Sequence, residues 1–472
     1  MPLASWLLIA GLVLSSLILG GGTRSGQWSD AIVQLLALFM LLVALFTMTV
    51  PRRLIVPLTI VGATVALPLL QLVPLPPAIW VLLPSRDLMA ETLEKAAVDL
   101  QWMPLSLDPS ATWQATLSLL PAIAVFLATV QLNDRSRRSL TVLIIVMVIF
   151  SVMLGLAQLM HGPGTQLRLF PYANIGDSVG FFANRNHYAA LLYAAIPLLA
   201  AWIIGLFHDE RPERLLGLVS GVVIFAAIVL GLAMARSRAG VLLAGLATLG
   251  SLVLAYRHGG RFARGSLVAL TVAALVGVLL AVHFAFFAVA ARFNDGVLDD
   301  FRLTIAAVTL SAAAAFQPIG SGIGSFVPVY QMFEPTEAIL SSYINHAHND
   351  WLELYLEAGW PAIAILLLFL AWFSAAAAKV WLSPPRRSNA LDRALACAAS
   401  LTVFLLLLHS AVDYPLRTTA IATLFALSCA LLVEPVPRRE ASESGRPIFD
   451  LRRLVTWRRK SRGAAWGGRR NG

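Results

Sequence analysis

The segment INHAHNDWLELYLEAGWPAI holds two of the eight histidines of the chain, two residues apart. His346 and His348 are followed directly by Asn349 and Asp350. Histidine is the side chain best suited to accept a proton near neutral pH, so this pair is a candidate source of a general base. Asp350 and Glu353 have the spacing of a helix N-cap and its capping-box partner. This pattern predicts that His348 lies just before a helix begins.

Residue types alone leave three roles open for this segment. His348 can serve as a general base if it points into a cleft. His346, His348 and Asp350 form a loose metal-ligand pattern, although no further ligand cluster stands near them. Capping and packing alone is the third role.

Three arginines stand at predicted membrane edges. Arg236 and Arg238 lie in MARSRAGVLL, a very short turn between two apolar runs, and Arg302 lies in DDFRLTIAAVTLSAAAAF, which predicts a helix on or in the interface. An arginine at this depth is costly unless it is paired or faces water, and its planar fork suits a phosphate or pyrophosphate. Snorkelling to lipid headgroups, or pairing of Arg302 with Asp299 or Asp300, is the alternative.

Two other helix ends carry polar groups. GFFANRNHYAALL places Asn184, Arg185 and Asn186 where an apolar run begins, and these side chains can hydrogen-bond sugars or phosphates. Asn186 can equally be only a helix cap. HSAVDYPLRT places Asp413 and Arg417 at a further helix end, where they can pair at i, i+4.

The stretch FQPIGSGIGSFVPVY contains three alternating glycines, Gly320, Gly322 and Gly324. Glycines permit tight turns and close backbone approach. The Lys-Ser/Thr of a phosphate-binding P-loop is missing, and no strand context for a dinucleotide fingerprint exists. The stretch alone therefore predicts no nucleotide site.

The elements that must position these residues are membrane helices. The chain is 58% hydrophobic and only 13% charged, which is too little charge to cover a water-facing surface. Apolar runs long enough to cross a bilayer recur along it, and helices are the expected spanning element. Cys397 and Cys429 lie inside such runs and are predicted to be small core residues. The fold class is therefore all-α and polytopic, with about twelve spans, near 4–21, 31–50, 54–73, 113–132, 139–160, 187–206, 216–235, 239–256, 266–291, 358–380, 391–411 and 418–434.

The charges predict the orientation of these spans. One alternating set of loops, with the C-terminal tail, holds 25 of the 35 lysines and arginines and 9 of the 25 acidic residues. The positive-inside rule makes this set cytoplasmic, with both termini inside. The net charge of +10 thus has a topological cause, and no nucleic acid partner is implied. The membrane domain is predicted over 1–434, and 435–472 is a basic tail, either disordered or near anionic headgroups. The long loops, near 74–112, 161–186 and 292–357, fall on the opposite, outer side, and the last should contain short helices.

These motifs, in this order, resemble one family. The order is N-x-N-x-x-A entering a span, then S-R-A-G, then R-L, then P-I-G-S-G-I-G-S-F, then A-H-N-D with E-x-G-W-P after it. The set resembles the O-antigen ligase family, which includes related O-antigen and exopolysaccharide polymerases. The resemblance runs in register from about residue 100 to 430, and LSLDPSATWQATLSLL also looks like members of the family.

The resemblance implies a function. The family works at the periplasmic face of the bacterial inner membrane and joins a glycan from an undecaprenyl-pyrophosphate carrier to an acceptor hydroxyl, with inversion and without a metal or cofactor. Carried over, Arg238 and Arg302 hold the pyrophosphate and His348 is the general base. Arg185 departs from the family, which often has a small residue or proline there; it either adds a phosphate contact or faces water. The substrate-binding candidates beside these are Arg236, Asn184, Arg185, Asn186, Asn349 and His346.

The acceptor stays open between lipid A-core sugar, for a ligase, and the growing end of another lipid-linked chain, for a polymerase. The outer side carries 16 acidic against 10 basic residues, which favours polymerisation, since a phosphorylated core calls for a basic mouth. Two other functions remain alternatives: a transporter of a lipid-linked glycan or another anion, and a protein O-oligosaccharyltransferase.

Overall fold

The computed structural model describes residues 3–24, 26–48, 50–208, 214–258, 297–339, 344–382 and 390–435. The predicted span near 266–291 and the basic tail beyond residue 435 lie outside these residues. Within the described ranges the regular structure is α-helical apart from short 3-10 turns and one pair of two-residue strands. The prediction of an all-α polytopic membrane protein is confirmed.

The first half of the chain forms eight α-helices, with a long loop region between the third and the sixth. The loop is closed by an antiparallel pair of strands, β1 (Pro74–Leu75) and β2 (Met103–Pro104). A 3-10 turn at Arg52–Leu54 precedes the third helix. The helices are α1 (Leu3–Leu19), α2 (Trp28–Thr47), α3 (Ile55–Gln71), α4 (Pro77–Trp80), α5 (Asp87–Lys95), α6 (Pro109–Ser118), α7 (Leu120–Thr129) and α8 (Asp134–His161).

The second half supplies the centre of the bundle and the remaining outer segments. Short 3-10 turns occur at Thr336–Ala338 and Pro415–Arg417. The described helices are α9 (Arg185–His208), α10 (Arg214–Ala235), α11 (Arg238–His258), α12 (Val297–Ala315), α13 (Phe326–Phe333), α14 (Asp350–Leu382), α15 (Ala390–His409) and α16 (Thr419–Leu432).

Each predicted span within the described residues falls on helical structure, and the one near 113–132 covers both α6 and α7. Nine of the described helical stretches are long and apolar enough to cross a membrane, judged by length and composition. The apolar helices α1 and α16 are shorter, yet they coincide with the first and last predicted spans. A segment that crosses the bilayer must satisfy its backbone hydrogen bonds within itself, so an apolar run of spanning length forms a helix. Local hydropathy is therefore sufficient to locate these helices.

Two contacts between loops mark the two ends of the helix bundle. At one end, Asn345 Nδ2 donates to Thr23 O at 3.5 Å, which joins the α1–α2 turn to the segment before α14. At the other, Arg138 forms a two-pronged ion pair with Asp392 at 2.5 and 2.6 Å, which joins the starts of α8 and α15. The long loops lie at the first of these ends, which we call the outer end of the bundle.

Helix α9 is buried on nearly all sides, between α10, α11 and α15. Small residues let its neighbours approach closely. A Cβ added to Gly240 of α11 would lie 2.5 Å from Ala189 Cβ of α9. The outer end of α9 is thereby held in a fixed position, which matters because it carries the asparagines predicted for the site.

The glycine stretch after α12 is a packing junction. Gly322 has a φ of +112°, and its N–H donates to Glu357 O at 2.8 Å. A Cβ there would lie 2.6 Å from the Cα of Ser106 in the outer loop, and one on Gly320 would lie 2.5 Å from Glu357 O. These glycines are needed because three backbone segments meet closely, which explains the motif without a phosphate ligand.

Candidate active site

The site begins with a strap, residues 345–349, that enters α14. Asn349 Oδ1 accepts from the N–H groups of Trp351 and Leu352 at 3.0 and 3.1 Å, and its Nδ2 donates to Ala411 O at 2.9 Å. The predicted N-cap at Asp350 is therefore wrong by one residue, and Asn349 is the cap. Asp350 is instead the first residue of the helix, and its carboxylate accepts from Ser410 Oγ at 2.7 Å. The Asp350 side chain does not cap the helix because it binds the buried hydroxyl of Ser410.

His348 faces a buried carboxylate. Its Nδ1 lies 3.2 Å from Asp413 Oδ1, and the Asp413 side chain is only 1% exposed against 27% for His348. Burial by itself would raise the pKa of Asp413, but the hydrogen bond from His348 and the neighbouring histidines lower it well below its usual range. Asp413 is thus an acceptor, and Nδ1 of His348 carries the proton. In the neutral ring, the Nε2 atom of His348 then holds the lone pair that a general base needs.

Asp413 also joins the outer ends of α9 and α11. Its Oδ2 accepts from Asn186 Nδ2, its Oδ1 accepts from the Tyr414 N–H at 3.0 Å, and Asn186 Oδ1 accepts from Ser237 Oγ at 2.8 Å. Asn184 is the residue that caps α9, because its Oδ1 accepts from the N–H of Asn186 at 2.8 Å. The alternative that Asn186 is only a cap is therefore wrong.

We call this set of hydrogen bonds around Asp413 the Asp413 junction. The two arginines expected to bind pyrophosphate lie beside it. Arg238 directly follows Ser237 as the first residue of α11, and its side chain is exposed. Arg302 is exposed on α12, and its Nη1 lies 3.5 Å from Val412 O, next to Asp413 in the chain. The side chains of Asp299 and Asp300, the alternative partners of Arg302, lie outside the described part of the chain.

Arg185 and Arg236 share another carboxylate. Arg185 Nη1 lies 2.7 Å from Asp177 Oδ2, whereas Arg236 Nη1 is 3.9 Å from Asp177 Oδ1. Arg236 has a φ of +51°, the left-handed conformation that the tight α10–α11 turn requires. Arg185 is thus held by an ion pair, whereas Arg236 remains more than half exposed.

His346 forms a second histidine–carboxylate pair. Its Nδ1 lies 2.8 Å from Glu353 Oε1, and the Glu353 side chain is 1% exposed. The rings of His346 and His348 both pack on Tyr414, with centroids 4.3 and 5.1 Å from it. His187 also packs on Tyr414 at 4.8 Å, but both of its ring nitrogens are buried without a partner among the described residues. Of these three histidines, His187 is fully buried, whereas the side chains of His346 and His348 are partly exposed.

Arg417 lies beneath the strap, among three carboxylates of α14. It is 3.6 Å from Asp350, 3.2 Å from Glu353 and 2.9 Å from Glu357, which share one face of the helix through their spacing of three and four. Burial would lower the pKa of Arg417, but the three carboxylates hold it above its usual range. The predicted i, i+4 pairing with Asp413 is wrong, because these carboxylates surround the guanidinium.

The histidines and Asp350 do not converge as metal ligands. His346 and His348 direct Nδ1 to two different carboxylates, and Asp350 binds Ser410. Within the described ranges, no group of three or more His, Cys, Asp or Glu side chains is placed to hold a metal ion. The loose pattern read from spacing fails because alternate residues of the strap point to different neighbours.

Four contributors were not named as site residues from the sequence: Asp413, Tyr414, Ser237 and Glu353. The sequence predicts Asp413 only as a pairing partner of Arg417, and Tyr414 is the next residue in the same run. Ser237 stands between two arginines in the short turn. The sequence thus indicates where these residues lie along the chain but not which side chains they bind.

The fold and this cluster define a multi-pass α-helical membrane protein with a polar site at its outer end. Residues 221–367 match the family model described as O-Antigen ligase. The match covers less than half of the chain and includes Arg236, Arg238, Arg302 and His348. No curated protein matches the chain. This match supports membership of the O-antigen ligase family for the matched segment.

Proposed function

We propose that the chain transfers a glycan from undecaprenyl-pyrophosphate to an acceptor hydroxyl at the periplasmic face. The observation that carries the proposal is the junction at Asp413. It draws together His348, Asn186 and Ser237 from three outer segments. The family match over residues 221–367 supports glycan transfer as the reaction.

His348 is the proposed general base. Its Nε2 removes the proton of the acceptor hydroxyl as that oxygen bonds to the anomeric carbon of the donor sugar, and the bond from this carbon to the diphosphate oxygen breaks. Attack from the face opposite the diphosphate inverts the anomeric centre without a metal. Asp413 stabilises the imidazolium that forms, because its carboxylate holds Nδ1–H.

Arg238 and Arg302 are proposed to bind the diphosphate. Negative charge grows on this leaving group as the bond breaks, and a guanidinium can neutralise it through paired hydrogen bonds. Both side chains are exposed near the junction, so a ligand can reach them. Arg236 lies at the same turn as Arg238 and is proposed to contact the donor as well.

The remaining candidates take different roles. His346 and Asn349 lie on the strap and are proposed to contact the sugars near the acceptor hydroxyl. Asn186 is bound at both ends of its amide, to Asp413 and Ser237, which favours a role in orienting Asp413. Asn184 caps α9.

Arg185 is held by Asp177, so a phosphate contact from it requires that ion pair to open. Its proposed contribution is therefore a substrate contact made only when the donor is bound.

The proposed location is the bacterial inner membrane, with both termini cytoplasmic and the outer end periplasmic. One of the loops that carry most of the basic residues leads into α8. Near the start of that helix Arg138 pairs with Asp392, at the end of the bundle away from the Asp413 junction. This arrangement supports the positive-inside orientation.

The acceptor decides between polymerisation and ligation, and we favour polymerisation of an O-antigen or exopolysaccharide. The outer charge balance supports this choice, with 16 acidic and 10 basic residues. The test supplies purified full-length protein with an undecaprenyl-diphosphate-linked repeat unit, with and without lipid A-core. A ladder of products on the carrier supports polymerisation, whereas capped core alone means ligation.

Two rival functions give other outcomes in the same system. A transporter moves the lipid-linked unit across proteoliposomes without making a new glycosidic bond. The buried charged side chains among the described residues lie in loops or near helix ends, whereas a transporter calls for charges near mid-span. A protein O-oligosaccharyltransferase transfers the glycan to an added Ser/Thr peptide. Absence of any glycosidic product with every acceptor contradicts the proposed function.

A further inference from the structure

His348 is held in an uncommon backbone conformation. Its φ is +50°, in the left-handed region that residues with a Cβ rarely adopt. Such a conformation persists when the surrounding contacts determine it. Relaxation of the backbone here would swing the imidazole away from Asp413.

Glu353 binds the strap at the two residues before His348. Its Oε1 lies 2.8 Å from His346 Nδ1, and its Oε2 accepts from the N–H of Ala347 at 2.8 Å. Both carboxylate oxygens are thus committed to adjoining residues of the strap. On the other side of His348, Asn349 is tied to α14 and to Ala411. His348 therefore sits between two anchored points.

The Glu353 carboxylate is buried, yet its charge is compensated. Arg417 Nη1 lies 3.2 Å from Glu353 Oε1, and the arginine also binds Glu357 of the same helix face. A charged carboxylate is the stronger acceptor for both strap contacts. Arg417 thus allows Glu353 to remain an anionic clamp although its carboxylate is buried.

We propose that Glu353 is a positioning residue, which clamps His346 and Ala347 so that the backbone of His348 stays left-handed and its imidazole stays on Asp413. Its effect on catalysis rests on the proposed function, in which His348 is the base. Glu353 itself touches no reacting atom in this proposal. Its contribution is made through the geometry of His348.

Glu357 offers a matched control. It is equally buried on the same helix face and also pairs with Arg417, at 2.9 Å. Its Oε1 accepts from the N–H groups of Gly324 and Phe326 at 2.9 and 3.3 Å, so it clamps the glycine stretch and not the strap. Glu353→Gln and Glu357→Gln both remove one negative charge from the Arg417 cluster, and they differ in the segment that they release.

The first test does not depend on activity. Full-length protein labelled with ¹⁵N-histidine in lipid nanodiscs should give a low-field Nδ1–H proton for His348, assigned by its loss in His348→Ala. We expect Glu353→Gln to remove or markedly shift this signal, and Glu357→Gln to retain it. An unchanged His348 signal in Glu353→Gln overturns the proposal, as does an equal loss in both variants.

The second test separates positioning from folding. Glu353→Gln should lower kcat about 10- to 100-fold with little change in the donor KM, because a small misplacement of the base affects the chemical step. In a His348→Ala background the same substitution should have no further effect. An equal further loss in that background means that Glu353 acts by another route and overturns the proposal.

Glu353→Asp keeps the negative charge for Arg417 but is too short to bind both strap residues. It covers the case in which Glu353→Gln fails to fold, and it should show the same loss of signal and of kcat. A wild-type His348 signal in Glu353→Asp contradicts the clamp. If His348→Ala itself keeps full activity, the general-base role fails, and the His348 signal still decides whether Glu353 positions the ring.

Discussion

His348 Nδ1 and Asp413 Oδ1 lie 3.2 Å apart, although 65 positions separate the two residues in the chain. The contact fixes which ring nitrogen carries the proton, because Asp413 is a buried carboxylate whose pKa is held low. It also joins the strap before α14 to the segment after α15. The orientation of the proposed base is therefore set by a contact between distant segments.

Replacement of His348 by alanine should lower kcat about 10²- to 10⁴-fold, the usual contribution of a positioned base. The rate of glycosidic bond formation with purified protein measures it. His161→Ala is a matched control, because His161 is an exposed histidine at the end of α8 whose Nδ1 lies 2.9 Å from Ala157 O of the same helix. Wild-type rates in His348→Ala would remove the general base from the mechanism.

Asp413→Asn preserves the shape of the side chain but removes the charge that stabilises the imidazolium. We expect kcat to fall at least about 100-fold, as for an orienting carboxylate in a catalytic triad. Thermal unfolding in detergent, measured alongside, should show that the variant still folds. A loss confined to KM would mean that Asp413 binds substrate and does not support the base.

Arg238→Lys and Arg302→Lys retain the positive charge and lose the two-pronged guanidinium. Each should lower kcat/KM about 10- to 100-fold, the loss expected for a charged hydrogen bond. Titration of the lipid-linked donor in steady-state assays measures the effect. Arg135→Lys is the control, because Arg135 is exposed in the first turn of α8, at the end of the bundle away from the site. Full activity in both site variants would indicate that these arginines only snorkel to headgroups.

Gly322→Ala should destabilise the outer end, because its Cβ would lie 2.6 Å from the Cα of Ser106 and its φ is +112°. A clash with backbone cannot be relieved by rotating a side chain, so we expect a lower melting temperature and a lower yield of folded protein. Gly164→Ala is the control, since nothing lies within 4 Å of a Cβ there. Equal melting temperatures for the two variants would argue against the packing junction.

The helix boundaries show how far local signals reach. The predicted spans coincide with helices wherever the chain is described, because hydropathy and backbone hydrogen bonding are properties of each segment alone. The cap of α14 was placed one residue late, at Asp350. Asn349 and Asp350 are both good caps by type, and the choice between them depends on Ser410, which lies on another segment.

The partners of charged residues also depend on other segments of the chain. The spacing of Asp413 and Arg417 permits an i, i+4 pair, yet Arg417 binds the three carboxylates of α14 and Asp413 binds His348 and Asn186. Spacing can state which neighbours a side chain has on its own helix. It cannot weigh them against a distant carboxylate that folding brings closer.

The sequence by itself determined that this is a polytopic helical membrane protein, and it predicted that the candidate site residues lie at helix ends on one side. It did so because hydrophobicity, charge bias and motif order are read along the chain. Only the tertiary structure decided that His348 meets Asp413, that Tyr414 packs against both strap histidines, and that Glu353 clamps the strap. These contacts join residues from different helices and loops, and their geometry depends on how the whole bundle packs.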